Sequence, residues 1–215
     1  MPSQQPADLS ETLAMIIPIK AFHQAKERLS DLLTPAERLV LAKMCAERVI
    51  RAAIGYQVFV VCNDEEVAEW ARAQNAKIVW QSESGLNNAI KAGVKAVRAR
   101  NFDLAMIIHS DLPLATGFSH LFENCDLQTL KTSITVVPDR HEDGTNVMIV
   151  PTASDFEFAY GKNSFIEHQL VAERSNLTVR IVQDQYLSVD IDTAQDLDLA
   201  QKLQNNNQLN KQRLK

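Results

Sequence analysis

The chain has 215 residues, 46% of them hydrophobic, with 22 basic against 27 acidic side chains and a formal net charge of -5. That length and apolar content suffice for one substantial α/β core and require no second domain. No apolar run approaches the roughly 20 residues that span a bilayer, the stretch Met1 to Asp8 lacks the cationic n-region of a secretory signal, and the acidic balance argues against a nucleic-acid polymer as partner. A small anionic ligand is compatible with it, because basic clusters can be local. Cys45, Cys62 and Cys125 are odd in number and widely spaced. They read as small hydrophobes of a reducing, cytoplasmic compartment rather than as a disulfide framework or a zinc site.

Residues 1–12 read as a loose polar tail, 13–204 as one domain, and 205–215, rich in Asn, Gln and Lys, as a second tail. Leu13 to Ile19 is a nearly uninterrupted apolar run, as expected of a strand buried on both faces of a parallel sheet. It leads into a loop carrying Lys20, Lys26 and Arg28. Thr34-Pro35-Ala36-Glu37 is a capping box with proline at the first helical position, and apolar residues follow at helical spacing through Ile50. Val58 to Cys62 is a second strand, Asn63-Asp64 caps a helix to Gln74, and Lys77 to Gln81 is a third strand.

The turn Ser84-Gly85-Leu86-Asn87-Asn88 then opens another helix. It offers backbone N–H groups, a glycine that permits close approach and two amide side chains, a mixture suited to a purine edge. Leu104 to Ile108 is the fourth strand and runs into His109-Ser110-Asp111-Leu112-Pro113. Thr116 to Asn124 reads as a short helix and Ser133 to Val137 as a strand. A polar loop containing Arg140, His141, Glu142, Asp143 and Thr145 precedes the strand Val147 to Val150. Tyr160 to Ser164 opens the helix Phe165 to Arg174, and Val179 to Val182 and Tyr186 to Ile191 read as the last strands. His109 and His141 read as a packed and a loop histidine.

In Asp190-Ile191-Asp192-Thr193 two carboxylates share one face of an extended segment while Ile191 turns inward, and Thr193 suits the N-cap of a final helix. Alone, such acids also suit an ordinary helix start, where they favour the helix dipole. Strands alternating with helices, with adjacent strands around 133–150, indicate a three-layer, mostly parallel sheet with an antiparallel portion. Ligands of such sheets bind outside the carboxyl ends of the strands. Lys20, the 82–88 turn, Asp111 and the Asp190/Asp192 pair all fall there, so four loops point at one crevice. Three carboxylates in it suit a divalent metal for phosphoryl or nucleotidyl transfer.

The combination of Pro18-Ile19-Lys20 with Lys26 and Arg28-Leu29, Gly85-Leu86-Asn87, Ser110-Asp111-Leu112-Pro113, Pro138-Asp139-Arg140-His141 with Gly144-Thr145-Asn146, Gly161 with Ser164-Phe165, and Asp190-Ile191-Asp192-Thr193 resembles the CofC/FbiD family. These are guanylyltransferases of coenzyme F420 biosynthesis. The resemblance runs from about Leu13 to Ala200 and implies a Rossmann-like (GT-A-like) nucleotidyltransferase fold similar to MobA-type enzymes. It further implies GTP as donor and a phosphorylated three-carbon acid as acceptor: 2-phospho-L-lactate, phosphoenolpyruvate or 3-phospho-D-glycerate. Asp111, Asp190 and Asp192 would bind Mg²⁺, expected as two ions. Lys20, Lys26 and Arg28 would neutralise the triphosphate, and Ser84, Gly85, Asn87 and Asn88 would take the base. Thr145, Gly161 and Ser164, with Arg140, would hold the acceptor. Hand-off of a labile product to the next transferase of the pathway is the partner the resemblance suggests. Glu142-Asp143 departs from it by adding acid where a more neutral loop is expected. A sugar-nucleotide glycosyltransferase and a non-catalytic nucleotide-binding module are the alternatives. A dinucleotide dehydrogenase is disfavoured, because the first strand-to-helix turn has no Gly-x-Gly-x-x-Gly.

Overall fold

The computed structural model describes residues 9–123 and 125–213. Strand β1 (Leu13–Pro18) lies at the centre of the molecule, and its side chains alternate between two cores. Leu13, Met15 and Ile17 face one, and Ala14 and Ile16 the other, as a period of two requires. β2 (Gln57–Cys62) and β4 (Leu104–Ile108) flank β1 in parallel and are buried in the same way. With β3 (Lys77–Trp80), β5 (Ser133–Pro138), β6 (Thr145–Pro151) and β7 (Thr178–Ile181) they form a seven-stranded sheet of order β3-β2-β1-β4-β6-β5-β7. β6 runs antiparallel to both β4 and β5, and the other pairs are parallel. The sheet is therefore mixed and mostly parallel, as the alternation of elements predicts.

Helices cover both faces. α1 (Pro35–Ala52) and α2 (Glu65–Ala73) pack on the first core through Ala46, Val49, Val67 and Ala71. α3 (Leu86–Arg98) and α5 (Ser164–Arg174) pack on the second through Ile90, Val97, Val171 and Ala172. The predicted capping box of α1 is present, with Glu37 N donating to Thr34 Oγ1 and Thr34 N to Glu37 Oε2. α3 approaches the sheet closely at Gly93, where a Cβ would lie 2.6 Å from Ile16 Cγ2 and 3.0 Å from Val61 Cγ2. Only glycine fits there.

Four expectations about elements change. Tyr186 to Ile191 forms no strand and is loop and turn, held by Arg140 N donating to Ser188 O and Ile191 N to Asp111 O. The helix expected from Thr116 to Asn124 is a single 3-10 turn, Ser119–Leu121, with Asn124 outside the described residues, and the short α4 (Leu127–Lys131) follows it. Leu9 is buried and accepts from Thr12 N and Leu13 N, so the residues just before β1 are packed; residues 1–8 of the expected tail lie outside the described set. α6 (Ala194–Arg213) carries helix through residues 205–213, where a tail is expected.

Candidate functional site

A third, smaller apolar cluster explains how the carboxylates meet. It joins Leu29, Cys45 of α1, Leu114, Val189, Ile191 and Ala200 of α6. Leu29 follows Lys26 and Arg28, Leu114 follows Asp111, and Val189 and Ile191 bracket Asp190. Burying these neighbours, at about 1.5–3 kcal/mol per large side chain, draws three sequence-distant loops together at the carboxyl end of the sheet. The side chains between them then face one cleft of about 1130 Å³.

Ligand oxygens of Asp111, Asp190 and Asp192 lie within 4.8 Å of one another. Thr193 caps α6 as expected, in a reciprocal pair: its N and Oγ1 donate to Asp196 Oδ2, and Asp196 N donates back to Thr193 Oγ1. Lys26, in a left-handed conformation at φ 59, reaches into the triad. Its Nζ lies 2.7 Å from Asp111 Oδ2 and 3.6 Å from Asp192 Oδ1, while Arg28 NH1 lies 3.1 Å from Asp192 Oδ2. Burial alone would push the Asp111 carboxyl up; the Lys26 charge, helped by His109, outweighs it and holds the carboxyl below its ordinary range. Burial likewise works against the Lys26 ammonium, yet Asp111 first and Asp192 second raise it. Asp190 has no such cation. Burial first, and the Asp111 charge second, push its carboxyl up to about 6, and Asn146 Nδ2 donates to it at 3.4 Å.

The donor set fits a hard divalent cation. Three carboxylates share one small volume, and Asp111 Oδ1 is buried with no hydrogen-bond partner among the described residues. Such an orphaned carboxylate oxygen is costly in a protein interior unless something positive meets it.

Of the other expected residues, Lys20, Ser84, Gly85, Thr145, Gly161 and Ser164 all line this cleft. Gly85 stands at φ 101 with open space around its Cβ position, a backbone that only glycine adopts freely. Thr145 is fully buried, and its hydroxyl is 3.0 Å from His168 Nδ1. Three expected residues are engaged elsewhere. Asn87 makes two bonds to the backbone of Tyr160, accepting from its N at 2.8 Å and donating to its O at 3.0 Å. Asn88 donates to Ser84 O within its own turn. Arg140 closes on Asp196 through Nε and NH2, at 3.0 and 2.6 Å. The first two therefore shape loops and the third locks the start of α6; none of the three faces the cleft with a free side chain.

Sequence reasoning passed over Lys162, which lines the cleft beside Gly161, and His168 behind it; Asp143, noted there only as an added acid, lines the cleft as well. The His168 ring accepts from Ala159 N at Nε2, so as a neutral imidazole its proton sits on Nδ1 and is donated to Thr145 Oγ1. Its position four residues after Ser164 on α5 places both on one helical face, the one signal the sequence offered.

A sheet of this order, closed by a carboxylate triad with a countercharged loop at its carboxyl end, defines the nucleotidyltransferase class. The fold is that of a protein assigned to the nucleotide-diphospho-sugar transferases, from Desulfovibrio desulfuricans G20, with a TM-score of 0.67 at 16% identity over 94% of this chain and 98% of that one. Within that class the family described as Guanylyl transferase CofC like matches residues 13–211, and the chain belongs to it. Phosphoenolpyruvate guanylyltransferase of Sphaerobacter thermophilus is 31% identical over 191 residues, 87% of this chain and 91% of that protein. 2-Phospho-L-lactate guanylyltransferase of Methanothermobacter thermautotrophicus is 34% identical over 188 residues, 85% and 81% of the two chains. No helix among the described residues is long and apolar enough to cross a membrane.

Proposed function

We propose that this enzyme transfers GMP from GTP to the phosphate of a three-carbon phospho-acid, releasing pyrophosphate, in coenzyme F420 biosynthesis in the cytoplasm. The observation that carries the reading is the convergence of Asp111, Asp190 and Asp192 beside Lys26 in a cleft that also holds the 84–85 turn and the Gly161–Ser164 turn. Asp111, Asp190 and Asp192 would hold Mg²⁺, one or two ions, which supplies charge neutralisation for the attacking and leaving oxygens.

The reaction joins two anions, so the chain's contribution is positioning and countercharge. A phosphate oxygen of the acceptor attacks the α-phosphorus in line, the bond to the bridging oxygen of the β-phosphate breaks, and pyrophosphate departs. Lys20 and Arg28 face the triphosphate, and Lys26 sits beside the transferred group. Ser84 and Gly85 receive the nucleoside, while Thr145, Gly161 and Ser164 form the acceptor wall. No protein nucleophile is needed, and an acceptor phosphate already ionised at neutral pH needs no general base. Asn87, expected to read the base, instead braces the acceptor wall through Tyr160. Incubation with GTP, Mg²⁺ and each of phosphoenolpyruvate, 3-phospho-D-glycerate and 2-phospho-L-lactate, following pyrophosphate, tests the reading; no pyrophosphate with any acceptor refutes it.

A further inference from the structure

Glu142 and Asp143, the two acids that depart from the family resemblance, have separate fates. Glu142 turns away and accepts from Gln183 Nε2 at 3.0 Å. Asp143 lines the cleft, on the side formed by Gly161, Lys162 and Ser164. Three bonds fix it there. Its N donates to Asp139 Oδ1 at 2.9 Å, its O accepts from Phe165 N at 3.1 Å, and its Oδ1 accepts from Asn163 N at 3.2 Å. The loop between β5 and β6 is thereby strapped to the first turn of α5, with Asp143 at the junction. Its Oδ2 has no hydrogen-bond partner among the described residues. Lys162 on the same wall has no ion-pair partner among them either, and Asp143 is not paired with it.

This wall must receive a molecule that carries both a phosphate and a carboxylate. Lys162 and the N–H groups of the Gly161 turn suit those anions. A fixed carboxylate does not: it repels anionic groups, and it gains nothing from a methyl or a vinyl carbon. It does accept a hydrogen bond from a hydroxyl, and a charged acceptor makes that bond strong. A site that bonds a substrate hydroxyl through a charged acceptor discriminates against analogues that lack one by the worth of that bond, although Asp143 itself is exposed.

We propose that Asp143 determines acceptor specificity, selecting a phospho-acid with a free hydroxyl that donates to Asp143 Oδ2. The inference rests on the guanylyltransferase reading and adds to it the class of acceptor: a phosphorylated hydroxy acid rather than an enol phosphate or a phosphorylated acid whose remaining carbon is a methyl.

The test measures kcat/KM by pyrophosphate release, with GTP and Mg²⁺ at saturation, for 3-phospho-D-glycerate, phosphoenolpyruvate and 2-phospho-L-lactate. The wild type is expected to favour 3-phospho-D-glycerate by about tenfold or more. Asp143→Gly lowers that preference at least about tenfold, both by losing the hydroxyl contact and by admitting the other two acids more readily. Asp143→Asn keeps an oxygen for Asn163 N and removes the charge, so it preserves the strap and shifts the preference in the same direction if the glycine variant does not fold. A wild type that favours either hydroxyl-free acid, or a preference unchanged within threefold in the folded variants, overturns the assignment of Asp143 and leaves the guanylyltransferase reading standing. Absence of pyrophosphate from the wild type with all three acids removes both.

Discussion

His168 gives a prediction whose sign and size follow from its surroundings. It is fully buried between Phe156, Tyr160 and Thr145, with the Tyr160 ring centroid 4.6 Å from its own. Burial, aided by the nearby His109, brings its pKa down from 6.5 to about 4. Between those two values the unfolded chain binds a proton that the native protein refuses. The contribution to stability is therefore fully present above pH 6.5 and is lost as the pH falls toward 4. For this one group, linkage gives a loss of about 2 kcal/mol between roughly pH 7.5 and pH 5, or about 4–8 °C in the midpoint of a domain of this size. His168→Gln removes the titration and leaves an oxygen near the position of Nε2 to accept from Ala159 N. Urea unfolding of both proteins at the two pH values isolates the effect. Other groups that titrate in the interval, Asp190 among them, are common to both proteins and cancel in the difference. The wild type should lose about 2 kcal/mol more than the variant; equal losses would show that native His168 takes up its proton freely, and the burial argument fails.

Asp190 works in the opposite direction. Its carboxyl is held up at about 6 against an ordinary 3.8, so the native protein carries a cost that appears as the pH rises through 3.8 and is complete above 6. Without Mg²⁺, Asp190→Asn should raise stability at neutral pH by about 1–2 kcal/mol and leave it unchanged below about pH 4, while GMP transfer falls by about 100-fold or more; thermal melts across that range, set beside pyrophosphate release, check both halves. Gly93→Ala drives a methyl into Ile16 and Val61 and should cost about 1–3 kcal/mol in urea unfolding. Asn87→Ala releases the Tyr160 backbone and should raise the acceptor KM several-fold with the GTP KM unchanged; a change confined to GTP, or to the preference for guanine over adenine, would return Asn87 to the base.

The parts of this molecule that were legible in the sequence are those that local pattern encodes. Apolar runs at Leu13 and Leu104 announced strands, the first of them expected to be buried on both faces, and the two lie beside one another at the centre of the sheet, both buried. Because ligands collect at the carboxyl ends of such strands, Asp111 and Lys20 could be assigned to one crevice without knowing the strand order. Asp190 and Asp192 reach the cleft, but from a loop and not from the expected strand. The alternation of Val189, Ile191 and the two acids reads as a strand, yet residues 186–191 pair with no strand, and it is the burial of Val189 and Ile191 against Leu29 and Leu114 that turns the acids outward. An extended loop and a strand share the same alternation, so periodicity fixes the facing of side chains but not their hydrogen-bonded neighbours.

What could not be read is partnership across sequence distance. Arg140 sits in a polar loop next to Thr145, where an anion contact is a natural expectation, but its carboxylate partner stands 56 residues further on, inside the cap of α6. Asn87 follows a glycine turn suited to a base, yet its amide is spent on a backbone 73 residues away. In both cases the side chain satisfies a fixed protein group instead of a ligand. The same logic identifies the side chains left for chemistry. Lys20, Lys162 and Asp143 line the cleft, with no partner among the described residues for the two ammonium groups or for Asp143 Oδ2, and Asp111 Oδ1 is buried and unpaired. Under the proposed reading the substrates bring the missing half of each contact: phosphates for the two lysines, a hydroxyl for Asp143, and a cation for the unpaired oxygen of Asp111.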